Sequence, residues 1–262
     1  MKSTLVLLLF IILTGSSYAQ KIAIMGALDQ EISILLDEMD KPKKRNIGGI
    51  DFYTGKLNGK KVVVLKAGVG KVNAAYSTAV LTQNFKLSAL IFTGVAGGLH
   101  PESLPGDIVI GEKLFQHDFG KHDTLGFSVT PYRKLTGGHL ENLHIASNNK
   151  LYQMSLDASE RVDFVKVAGR APQVYSGIIA TGDMFVSSNE KAKWLYEEFD
   201  ALATEMEGAA VAHLCETLGI PFLVIRSCSD NANNNARVNF NQFVEPAAIN
   251  SAMLVMAILD QM

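Results

Sequence analysis

Cysteine is nearly absent: Cys215 and Cys228 are the only two in 262 residues. That number excludes a disulfide framework. Both sit in apolar stretches, one helix-like and one strand-like, and read as buried thiols in preference to a Cys215–Cys228 bridge. Metal-binding spacings are missing too. The six histidines form no HExxH or HxxxH pattern. His117-Asp118 and His122-Asp123 lie in an irregular stretch without a third ligand group, so no metal is expected. No G-x-S-x-G elbow occurs and no cysteine has a basic setting, which leaves covalent hydrolysis unsupported. The Gly94 to Gly98 run (GVAGG) lacks the GxGxxG spacing of a dinucleotide site, and no Lys-Ser/Thr follows to make a P-loop. No motif calls for a cofactor. Positive charge is sparse as well: the net charge is −2 and the one basic cluster, Lys41 to Arg45, reads as a solvated loop. Nucleic-acid binding, which needs a concentrated basic face, is excluded.

What is present suits a folded enzyme-sized chain. Apolar residues make up 48% and charged residues 19%, enough for a sizeable core. The first 19 residues stand apart: Lys2, an apolar run from Leu5 to Leu13, then Ser17-Tyr18-Ala19. This is the layout of a secretory signal peptide cleaved after Ala19, and the run is shorter than the roughly 20 residues of a spanning helix. The expectation is an exported protein, periplasmic or secreted and free of the membrane after cleavage. Residues 20–262 show no repeat, linker or composition break and read as one domain.

Along that domain, short apolar runs alternate with helical patterns. Strands are expected at residues 21–26, 51–57, 61–65, 90–93, 107–115, 173–180, 202–205 and 222–227. Helices are expected at 28–39, 72–85, 140–156, 189–199, 207–218 and 246–262, with a long loop over 116–138. Asn58-Gly59 is a hairpin turn. Several strands are apolar on both faces, which predicts an α/β fold: three αβα layers around a mixed, largely parallel sheet. In such sheets ligands bind beyond the carboxyl ends of the strands. The unusual residues cluster there.

Asp230 follows a very apolar strand. Partial burial would raise its pKa into the range of a general acid, although Ser229-Asp230-Asn231 also reads as a plain turn. Glu31 follows the first strand and is either a dipole partner in a helix's first turn or a general base for water. A second acid across the scissile bond completes the pair that glycoside cleavage needs. Glu205 and Glu207 suit either a cis-diol or a helix N-terminus. Arg226, inside an apolar strand, must meet Glu205, Glu207 or a ligand. Phe185 is either a purine-stacking ring or core.

Seven segments, in order, resemble the 5′-methylthioadenosine/S-adenosylhomocysteine nucleosidases of the purine nucleoside phosphorylase superfamily. They are KIAIMGALDQE (Lys21 to Glu31), GVGKVN (Gly68 to Asn73), TGVAGG (Thr93 to Gly98), PGDIV (Pro105 to Val109), TGDMF (Thr181 to Phe185), EMEGAA (Glu205 to Ala210) and IRSCSD (Ile225 to Asp230). The resemblance implies a homodimer that hydrolyses the N-glycosidic bond of an adenine nucleoside. Glu31 would deprotonate the water, and Asp230, oriented by Ser229, would protonate N7. Met206 and Glu207 would hold the ribose, with Glu205 and Arg226 at the same end. Phe185 and the Val186 backbone would take the adenine, against Ala96 and Gly97. Leu28, Val69 and Phe240 would line the sugar and thioalkyl pocket. Phosphorylase relatives carry an Arg soon after the first strand, where this chain has Asp29-Gln30-Glu31, so water is expected in place of phosphate. A nucleoside-binding protein without turnover is the non-enzymatic alternative. The stretch 116–138 is longer than in typical members, which leaves open the choice among methylthioadenosine, adenosylhomocysteine, 5′-deoxyadenosine and a futalosine-type nucleoside.

Overall fold

A computed structural model describes residues 20–135, 137–138 and 142–262. The expected signal peptide lies outside the described residues.

The chain builds strands β1 (Lys21–Gly26), β2 (Asp40–Ile47), β3 (Ile50–Leu57), β4 (Lys60–Lys66), β5 (Leu87–Phe92), β6 (Val95–Gly98), β7 (Ile108–Gln116), β8 (Gly120–Asp123), β9 (Gly126–Val129), β10 (Ile145–Ala146), β11 (Val174–Thr181), β12 (Ala201–Glu205) and β13 (Phe222–Asp230). The helices are α1 (Asp29–Asp37), α2 (Lys71–Asn84), α3 (Asn149–Ser159), α4 (Asn189–Phe199), α5 (Gly208–Leu218) and α6 (Ala236–Gln261). Eleven strands form one sheet in the order β10-β7-β11-β12-β6-β13-β5-β1-β4-β3-β2. Its centre is parallel (β4, β1, β5 and β13), whereas β2/β3, β3/β4 and β12/β6 are antiparallel. β13 also pairs with β7, which closes β7, β11, β12, β6 and β13 into a ring.

Burial on both faces explains the near-continuous apolar runs. In β1, Ala23 and Met25 join one core with Ala74 and Leu81 of α2 and Ala209 to Ala212 of α5. Ile22 and Ile24 join the opposite core with Ile32 and Leu35 of α1, Leu151 of α3 and Leu254 and Ile258 of α6. The three αβα layers follow directly. Local signals end the helices: Ser188 accepts from the Lys191 N–H to start α4, and Gly219, at φ 65°, stops α5.

Four expectations need correction. Lys41 to Arg45 belongs to β2, whose residues are exposed along nearly its whole length; an edge strand without an apolar face has no alternating pattern to read. Stretch 116–138 contains the β8–β9 hairpin. The helix expected from residue 140 begins at Asn149, after β10; residues 140 and 141 lie outside the described residues. Finally, α6 starts at Ala236, ten residues before Pro246, which it carries internally.

Candidate active site

The carboxyl ends of β1, β6, β11, β12 and β13 converge on a cavity of about 440 Å³, a size suited to a nucleoside. Leu28, Glu31, Val69, Ala96, Gly97, Phe185, Val186, Glu205, Met206, Glu207, Ser229, Asp230 and Phe240 line it. Sequence reading placed all of these there. A second hollow of about 580 Å³, between β10 and the end of α5, has Glu216 as its only carboxylate among the described residues.

Glu31 lies in the first turn of α1 and is buried. Its Oε2 accepts from the Ala27 and Leu28 N–H groups, the latter at 2.9 Å, and its Oε1 accepts from the Val95 N–H at 2.9 Å. Burial raises its pKa, opposed by the Arg226 charge and these three amides. Gly94 makes room for this arrangement: a methyl group there would collide with Glu31 Oε1 and Arg226 Nη1.

Asp230 is the last residue of β13, so it stands in a strand and not in the turn beyond it. Its Oδ2 accepts from Ser229 Oγ and its Oδ1 from the Ala232 N–H, both at 2.8 Å. Burial carries its pKa up to about 6 against these two hydrogen bonds.

The sugar end is built at the junction of β12 and α5. Both oxygens of Glu205 accept hydrogen bonds inside the protein. Oε1 accepts from Thr181 Oγ1, while Oε2 accepts from Arg226 and from the Glu207 and Gly208 N–H groups, at 3.0 and 2.7 Å. Glu205 lines the cavity, and within the protein it caps α5 and neutralises Arg226. Arg226 is repositioned. It is fully buried, does not line the cavity, and donates to Glu205 and to the Thr93 carbonyl at 3.2 Å. Its Cζ lies 4.3 Å from the Phe92 ring centroid. Glu207 accepts from the Gly70 N–H at 2.8 Å through Oε1, and its Oε2, 3.7 Å from Arg226 Nη2, accepts no hydrogen bond among the described residues. Burial and the Glu205 carboxylate raise the Glu207 pKa, and Arg226 opposes them.

At the base end, the Phe185 and Phe240 rings meet edge to face, 5.8 Å between centroids. Arg237 stacks on Phe185 with Cζ at 4.5 Å and is the only cationic residue lining the cavity among the described residues. Sequence reading missed it. Arg237 and Phe240 are three residues apart on α6, a spacing that would have exposed Arg237 had the helix start been recognised. Ala27, Val95, Met184 and Thr204 complete the lining. His117 and His122 do not form a site together. His117 is buried, and its pKa falls to about 4 chiefly through burial, whereas His122 is exposed in β8.

Residues 21–260 match the phosphorylase superfamily. The 5′-methylthioadenosine/S-adenosylhomocysteine nucleosidase of Bacillus pumilus is 39% identical over 92% of this chain and 99% of its own. The chain belongs to this nucleosidase family. Among solved structures, the Neisseria meningitidis nucleosidase of the same name, in complex with methylthio-immucillin-A, superposes with a TM-score of 0.81 at 34% identity, covering 93% of this chain and all of its own. The futalosine hydrolase of Helicobacter pylori, a nucleosidase-like fold with a different substrate in its name, gives a TM-score of 0.78 at 31% identity over 93% of this chain and 98% of its own.

Proposed function

We propose that this nucleosidase hydrolyses the N-glycosidic bond of 5′-methylthioadenosine and S-adenosylhomocysteine, releasing adenine and the thioribose product. One observation carries the reading: Glu31 and Asp230, buried carboxyls from distant parts of the sequence, line a single nucleoside-sized cavity.

The chemistry follows from how each acid is held. Asp230 donates its proton to N7 as the bond between the anomeric carbon and the base breaks, and adenine leaves neutral. Glu31 takes the proton from the water whose oxygen bonds to that carbon. A carboxylate oxygen has two lone pairs. Glu31 Oε2 already accepts two amides and Oε1 only one, which leaves Oε1 for the water. The free Oε2 of Glu207 accepts from the ribose hydroxyls, while Met206 packs on the sugar. Phe185 stacks on the purine, and Arg237 lies on the ring's other contact.

Water is favoured over phosphate by charge. The lining carries Glu31, Glu205, Glu207 and Asp230 with one cation, Arg237, and the Arg226 charge is held by Glu205. A phosphate dianion would find acidic groups on every side and only Arg237 as a counter-charge among the described lining residues. Adenine release by the purified protein, independent of added phosphate, is the expected result. Ribose 1-phosphate formation would overturn the hydrolytic reading, and binding without release would leave the nucleoside-binding alternative.

The reading extends to assembly and location. A homodimer is supported by exposed Val69, Val72 and Tyr76 on and beside the first turns of α2, an apolar face next to the cavity. Light scattering of the purified protein at twice the chain mass is expected. Export, with cleavage after Ala19, is supported by the Lys2, Leu5 to Leu13 and Ala19 pattern. N-terminal sequencing of the protein recovered from the periplasm or medium should begin at Gln20. An exported copy would act on nucleosides outside the cytoplasm.

A further inference from the structure

The two walls of the cavity, one for the sugar and one for the base, are joined outside it by a closed circuit of charged groups. The first amides of a helix have no partner within the helix. In α2 these amides are claimed by different walls: the Gly70 N–H goes to Glu207 Oε1 at 2.8 Å, and the Lys71 N–H to Asp183 Oδ1 at 2.7 Å. The Lys71 side chain turns to the end of β7, where Nζ meets Asp118 Oδ1 at 2.6 Å and Gln116 Oε1 at 3.2 Å. Asp118 closes the loop by accepting from the Asp183 N–H at 2.7 Å through Oδ2. Each of the three residues thus contacts the other two. Asp183 is two residues before the purine-stacking Phe185.

The Lys71–Asp118 pair is shielded, unlike an ordinary surface pair, while the Asp183 side chain is 47% exposed. The Lys71 and Asp118 side chains are only 17% and 16% exposed, so solvent and salt screen them weakly. Burial alone would raise the Asp118 pKa, but Lys71 and the Asp183 amide hold it below the usual carboxylate value. Beside it, the buried His117 ring presses on Gly182, where a methyl group would strike the imidazole. The loop that carries Phe185 therefore has one position that satisfies both packing and charge.

We propose that Lys71, Asp118 and Asp183 form a positioning unit that fixes the adenine-stacking loop relative to the carboxylate that grips the ribose. The proposal rests on the nucleosidase reading of the cavity. Stacking and sugar hydrogen bonds act on bound substrate and transition state alike. Loosening the circuit therefore weakens binding and spares the chemical step.

Lys71→Met is expected to raise KM about tenfold with kcat changed less than about threefold, Asp118→Asn to do the same, and Lys71→Arg to recover most of the loss. Because the residues share one circuit, the K71M/D118N double variant should be no worse than the poorer single variant. Thermal unfolding identifies a variant that has simply lost its fold; in that event Asp118→Asn, which keeps size and shape, decides alone. An unchanged KM in both single variants, a loss confined to kcat, or additive losses in the double variant would each overturn the proposal. Failure of the wild type to release adenine would instead overturn the nucleosidase reading. The circuit is then judged by calorimetric titration with adenine, which requires no turnover: unchanged adenine affinity in Lys71→Met refutes it, and weakened affinity supports it.

Discussion

Glu31 and Asp230 are equally buried, each with 2% of its surface exposed, yet their surroundings are opposite. Around Glu31 the protein gathers three backbone amides and the charge of Arg226, all of which favour the ionised form. Around Asp230 it supplies one amide and one hydroxyl, and burial outweighs them to carry the pKa up to about 6. Burial raises the pKa of both groups, but only Glu31 has a guanidinium and three amides opposing the rise. The carboxyl with that support is the one suited to take a proton, and the other is suited to give one.

The contrast can be broken at either end. Asp230→Asn keeps the shape and removes the proton donor, and is expected to cut turnover by about 10²–10⁴-fold while an adenosine analogue still binds. Steady-state adenine release and calorimetry read the two effects separately, and wild-type-like turnover would erase the distinction. Next in size, Arg226→Met strands Glu205 and Glu207 as buried charges without a counter-ion. Urea unfolding should register a loss of about 3–5 kcal/mol. Unaltered stability would show that the guanidinium is not what holds these carboxylates.

The pH profile sharpens the comparison without a substitution. Asp230 is protonated below about 6, so kcat/KM should hold on that side and fall about tenfold per unit as pH rises through and beyond it. Protonation of Glu31 produces the opposite, acid limb. The smallest expected change comes from Ser229→Ala. The Ser229 hydroxyl favours the charged form of Asp230, so its loss should move the alkaline limb upward by about half a unit. A downward move would reverse the sign of that hydrogen bond's role.

These two acids were legible in the sequence because each lies at the carboxyl end of an apolar strand, a position the fold class marks before any coordinate is known. The layers were legible for the same reason: runs such as Lys21–Gly26 and Lys60–Lys66 are apolar on both faces only when helices cover both. Less visible was the division of labour between Glu205 and Glu207. The two are two positions apart in the chain, and only the arrival of Arg226 and Thr181 from other strands ties one into the fold and leaves the other an oxygen to spare. β2 escaped because its eight residues have no buried alternation, and the start of α6 because Pro246 is a stronger local signal than the polar turns before it. The circuit of Lys71, Asp118 and Asp183 spans 112 residues, beyond the reach of any local pattern.

The beginning of α2 also bears on where this molecule can be altered. Two successive amides answer to two different walls, so adding or deleting one residue in the Gly68-Val69-Gly70 connection would turn the helix by about 100° and disengage both at once. Length there should be fixed across working variants. The β8–β9 hairpin is the opposite case: Leu125 at its tip is 96% exposed, so a tag, label or peptide grafted at that turn should leave adenine release intact.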